Sequence, residues 1–90
     1  MPYDTPPKLI RGYAPRFPHF EMLRHKSGIA KVVFTIGTDG RTSHLVVEAS
    51  ADSFGRAAID ALTKWQFQPA TKNGEPVRCR MRTPIFFRSR

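Results

Sequence analysis

The sequence is short of cysteine, of acidic residues and of long apolar runs, and each shortage excludes something. A single cysteine, Cys79, rules out an internal disulfide and any multi-cysteine metal site. No stretch approaches the ~20 apolar residues of a membrane-spanning helix. Three histidines, His19, His25 and His44, lie in separate local settings, none at ligand spacing from another or from Cys79. Ser-His-Asp, Cys-His and paired-carboxylate patterns are missing, as is a phosphate-binding glycine loop, because Gly37-Thr38-Asp39-Gly40 lacks the lysine and following helix. These absences predict a binding domain that is not an enzyme and holds no cofactor or metal. Seven Asp and Glu face fifteen Lys and Arg, a net charge of +8. That excess predicts attraction to nucleic acid, anionic membranes or acidic protein surfaces.

What is present organises around residues 29–48. Ala30, Val32, Phe34 and Ile36 form an apolar row at period two, interleaved with Lys31, Val33 and Thr35, which predicts a strand with one buried face. Asp39-Gly40 follows as a tight-turn signal, since glycine tolerates the positive φ that such turns need. A returning strand over 42–48 then has Leu45 and Val47 as its inward pair. Two strands alone are marginal in water, so the remaining chain must cover the apolar face and pair with the free edge.

Residues 1–13, with Pro2, Pro6 and Pro7, read as an extended, mobile tail at the end of a proline-rich linker. The domain itself is expected over 14–90. Pro15-Arg16-Phe17-Pro18 is extended by the limits its prolines impose, with Phe17 as an anchor, and Pro18 can open a short helix over 19–25 with Phe20 and Leu23 inward. Further on, Asp52 or Ser53 can cap a longer helix. Phe54, Ala58, Ala61, Leu62 and Trp65 recur at i, i+4, i+7, i+8 and i+11, the stripe of a helix lying on the sheet. Pro69 ends that segment, and Asn73-Gly74 marks a turn.

The last strand, 77–87, alternates most clearly. Val77, Cys79, Met81, Thr83, Ile85 and Phe87 take one side, and Arg78, Arg80 and Arg82 the other. Cys79 is expected to be buried within this row rather than reactive. Pro84 has no amide hydrogen, which confines the strand to an edge or a bulge. The expected fold is α+β: a three-stranded antiparallel sheet with a short N-terminal helix and one long helix packed on one face, in the order α-β-β-α-β. Arg78, Arg80, Arg82, Arg88 and Arg90 beside Phe86 make a basic row that a nucleic-acid-binding module could use. Outward charges on an edge strand also serve to prevent indiscriminate pairing, and that explains the row without a ligand.

Pro15-x-Phe17-Pro18, Gly28 before a strand, Phe34-x-Ile36-x-x-Asp39-Gly40-Arg41, Ser50 followed by Phe54, Ala57, Ala58 and Ala61, Lys64-Trp65-x-Phe67-x-Pro69, Asn73-Gly74-x-Pro76 and Pro84-Ile85-x-Phe87 follow one another in order. This succession closely resembles the C-terminal domain of the TonB family of energy transducers. The resemblance implies a periplasmic domain of a protein anchored in the inner membrane of a Gram-negative bacterium, where a proton-driven motor complex engages its N-terminal region. It further implies binding to the TonB box of outer-membrane transporters for siderophores, haem or vitamin B12, a possible strand-exchanged homodimer, and no nucleic acid. A TonB-like sensor or scaffold domain is the alternative within the same family.

The residue pattern and the family resemblance point to one surface. The free edge of the last strand, comprising Arg78, Cys79, Arg80, Met81, Arg82, Thr83, Pro84, Ile85, Phe86 and Phe87, is where a guest strand could add. The family pattern adds Pro15, Arg16, Phe17 and Pro18 as a segment near the docking surface. Ala14 and Phe17 stand where members usually have glutamine and tyrosine, and Phe20 where some have arginine.

Overall fold

A computed structural model describes residues 3–88; Met1, Pro2, Ser89 and Arg90, and with them the start of the tail and Arg90 of the basic row, lie outside it. The chain forms β1 (Lys8–Arg11), α1 (His19–Leu23), β2 (Gly28–Ile36), β3 (Thr42–Ala49), α2 (Asp52–Leu62), β4 (Gln66–Gln68), β5 (Ala70–Lys72), β6 (Glu75–Val77) and β7 (Cys79–Phe87). Its main sheet is three-stranded and antiparallel in the order β3-β2-β7, so β2 is central and β7 is an edge. This is the α+β architecture expected from the residue pattern, with α2 lying across one face. Two ribbons, β1-β4 and β5-β6, supplement it.

The period-two row of β2 becomes the core. Ala30, Val32 and Ile36 are fully buried and Phe34 nearly so, packed under Phe54, Ala58 and Leu62 of α2. Leu45 and Val47 are half-buried against the same cluster. The turn closes with the Gly40 amide donating to the Gly37 carbonyl (3.0 Å) and the Gly37 amide to that of Arg41 (2.9 Å). Gly40 has φ +81°, and a Cβ there would lie 1.9 Å from the Phe67 carbonyl oxygen, so the position requires glycine. Asn73 and Gly74, φ 52° and 80°, make the mirror-image turn joining β5 to β6.

Several expectations are corrected. Residues 3–13 are not a free tail: the Asp4 and Thr5 amides donate to the Thr71 carbonyl (2.8 and 3.1 Å), and β1 pairs with β4. Trp65 Nε1 donates to the Tyr13 carbonyl (2.8 Å) and ties down the end of that segment. The partners of residues 4–11 lie some sixty residues away, beyond any local signal. Helix α1 is also shorter than expected, and Phe20 and Leu23 point outward, 77% and 64% exposed. The space beneath them is filled by Phe17, whose ring meets those of Phe54 and Phe87 edge-on at 5.7 and 5.9 Å. Glu21 turns inward in their place and accepts a hydrogen bond from Ser53 Oγ (3.4 Å). Ser53 therefore does not cap α2, nor does Asp52; Ala51 holds the N-cap position with no side-chain bond. Trp65 lies past the helix end, and Val77 belongs to β6, separated from β7 by Arg78.

Candidate functional site

Beta-strand β7 runs beside β2 without a bulge, from Gly28 opposite Phe87 to Ile36 opposite Cys79. Its side chains alternate as the sequence pattern requires. Cys79, Ile85 and Phe87 are buried towards α2, Met81 and Thr83 are half-buried, and Arg80, Arg82, Pro84 and Phe86 are exposed on the opposite face. Burial pushes the Cys79 thiol up from its ordinary value, which agrees with a packing role.

Which backbone groups face outward follows from the ladder. Ile29 directs both its carbonyl, accepting from the Ser50 amide (3.0 Å), and its amide, donating to Ser50 Oγ (3.1 Å), to the β3 side. In an antiparallel sheet these directions alternate along the strand, so Gly28, Ala30, Val32, Phe34 and Ile36 bond to β7. Their partners Phe87, Ile85, Thr83, Met81 and Cys79 face inward, while Arg80, Arg82, Pro84 and Phe86 turn their backbone groups to the open edge. Pro84, opposite Lys31, thus sits where no amide hydrogen is needed by the sheet. The open edge offers amides at Arg80, Arg82 and Phe86 and a carbonyl alone at Pro84.

The arginines of this row do different things. Arg80 reaches back over β2, its Nη1 donating to Thr35 Oγ1 and to the His44 carbonyl, each at 2.8 Å. His44 supplies that carbonyl because β3 bulges there: Val33 pairs with Val46 but Thr35 with Ser43, and His44 takes φ +51°. The sequence pattern places Thr35 in the interleaved row of the first strand and His44 among isolated histidines, but not their shared contact with Arg80, since a bulge shows only when both strands are in place. Arg88 stacks its guanidinium 6.0 Å above the Phe86 ring. Among the described residues the one ion pair joins Arg41 to Asp39 (3.9 Å), so no carboxylate neutralises Arg78, Arg80 or Arg82. With Arg80 engaged on the sheet, the row is not a free comb of phosphate-binding groups.

Of the second predicted group, Phe17 adjoins β7 directly through Phe87, while Pro15 and Pro18 are half-buried and Arg16 is exposed. A groove runs beside them over Ala57 and Ala61 of α2. The structure therefore brings residues 15–18 to the C-terminal end of β7, whereas Arg78 and Cys79 lie about 27 Å away at the other end of the nine-residue strand.

This arrangement has relatives. Residues 13–89 match the family model described as the Gram-negative bacterial TonB protein C-terminal. The chain belongs to the TonB C-terminal family. Among curated relatives, protein TonB of Pseudomonas aeruginosa is 36% identical over 86 residues, covering 93% of this chain and 25% of that protein. Protein TonB of Xanthomonas campestris pv. campestris is 29% identical over 75 residues, 81% of this chain and 34% of that one. The chain thus spans a quarter to a third of the length of these TonB proteins. The solution NMR structure of the Pseudomonas aeruginosa TonB C-terminal domain superposes with a TM-score of 0.80 at 32% identity, covering 94% of this chain and 88% of that one. The TonB2 protein of Vibrio anguillarum gives 0.68 at 26% identity, covering 100% and 85%.

Proposed function

We propose that this TonB C-terminal domain captures outer-membrane transporters by accepting their TonB box as an added strand along β7. The observation that carries the reading is the outer side of β7, which pairs with no strand among the described residues, at the end of the order β3-β2-β7. A guest strand spanning Arg80 to Phe86 can make about seven main-chain bonds, two at each of Arg80, Arg82 and Phe86 and one at Pro84. At ~0.5–1.5 kcal/mol net for each bond, less the cost of ordering the guest, the expected affinity is micromolar. A pull along the strand loads these bonds together, which suits a transmitter of force derived from the proton-motive force during siderophore, haem or vitamin B12 uptake.

In this reading Pro15, Arg16, Phe17 and Pro18 contact the transporter beside the guest strand. The domain works in the periplasm, joined in the full-length protein through a proline-rich spacer to an inner-membrane anchor and its motor complex. The role is one of binding and mechanical coupling, with no chemistry at the site. Titrating isotope-labelled protein with TonB-box peptides tests it. The amides of Arg80, Arg82 and Phe86 should shift first and most, and shifts confined to α1 or to the β5-β6 ribbon would overturn it.

A further inference from the structure

An open strand edge is available to any extended chain, including that of a second copy, and flat edges commonly associate with each other. We infer that Pro84 and Arg82 together make the edge of β7 selective, admitting an extended foreign segment that carries a carboxylate while refusing the same edge of another copy. The strand-addition reading enters only in who the guest is. Exclusion of self follows from the edge alone.

Two copies meeting edge to edge would pair antiparallel about a twofold axis. In the centred register Arg82 of one faces Pro84 of the other and Arg80 faces Phe86, because only these residues turn their backbone outward. Each copy brings a Pro84 that cannot donate, so symmetry removes two bonds from the ladder. Any other twofold register that includes Pro84 loses two as well. A foreign strand meets Pro84 once and loses one bond. The pyrrolidine ring also occupies the direction in which the missing hydrogen would point, holding a neighbour off on both sides of the axis in the symmetric case.

Charge acts in the same sense. Arg82 is exposed and has no hydrogen-bond or ion-pair partner among the described residues, unlike Arg80, which is held by Thr35 and His44. In the centred register the two Arg82 side chains fall on neighbouring diagonal positions, within reach of each other, and repel. A guest with Asp or Glu beside Arg82 is attracted by the same group. Beyond Pro84, exposed Phe86 favours an apolar guest residue at the next outward position.

Sedimentation equilibrium of the 90-residue protein and of Pro84→Thr, Pro84→Ala and Pro84→Thr/Arg82→Thr variants, up to about 1 mM, tests this. The unsubstituted protein should stay monomeric. Restoring two donors should tighten dimerisation roughly ten- to a hundredfold, and removing Arg82 as well should tighten it further. Intermolecular NOEs between β7 strands should accompany the dimer. The alanine variant carries the test if threonine disturbs the fold. For a single guest peptide bearing an acidic residue, Pro84→Thr should bind only about three- to tenfold more tightly. No gain in dimerisation, a dimer without β7 contacts, or an unsubstituted protein that already pairs through β7 would each overturn the inference. If peptides fail to bind while the variants dimerise, the guest reading falls and the exclusion of self stands.

Discussion

At Gly40 the turn between β2 and β3 passes so close to Phe67 that a methyl group has nowhere to go. The Phe67 amide donates to the Gly40 carbonyl (2.9 Å), and a Cβ on Gly40 would meet the Phe67 carbonyl oxygen at 1.9 Å. Gly40→Ala should therefore cost about 2 kcal/mol or more, from the positive φ and the clash together, measured as a lower urea midpoint. Cys79 makes a prediction of a different kind. Its thiol is neutral in the folded protein over a wider range than in the unfolded chain, where it ionises near 9.0. Because its folded value is raised, its contribution is fully present below that pH and is lost as the pH rises through the folded value. Above about pH 9 the unsubstituted protein should lose stability more steeply with rising pH than Cys79→Ala, compared by urea denaturation. Identical slopes would mean that burial does not discourage the thiolate.

Among the elements, α1 departs furthest from its local pattern. Phe20 and Leu23 at i, i+3 have the spacing of an inward pair, yet a five-residue helix can bury a side chain only where the fold leaves room. Phe17, Phe54 and Phe87 already fill that room, the last two with ring centroids 4.6 Å apart. Phe20→Ser and Leu23→Ser should thus change stability by less than about 0.5 kcal/mol, whereas Phe54→Ala should cost about 3–5 kcal/mol. Comparable losses at all three positions in chemical denaturation would refute the outward placement. The strands β2 and β7 behave oppositely, and their buried and exposed residues could be named from alternation alone. Period two is a property of the extended backbone itself, and only the choice of inward face needed the rest of the molecule.

For the whole molecule, charge and shape act together. Its extents of 50 × 20 × 18 Å place most residues near the surface, and the net charge of +8 is spread over a thin body. Such a field speeds encounter with acidic partners without deciding how tightly they bind. Stopped-flow association with an acidic peptide should slow several-fold as salt rises from about 50 to 500 mM, with dissociation nearly unchanged. A dissociation rate that carried most of the salt effect would instead point to an ion pair buried at the docked edge.

The row Ala30-Val32-Phe34-Ile36, the turn at Gly40, the stripe of α2 and the edge position of a strand containing Pro84 were all legible in the amino-acid order. Each depends on torsion limits and on residues a few positions apart. The pairing of residues 4–11 with β4 and β5, the outward Phe20 and Leu23, and the bulge that turns the His44 carbonyl to Arg80 depended on the tertiary structure. These are outcomes of competition for space and for backbone partners among segments far apart in the chain. Which segment wins is settled only when all of them have packed.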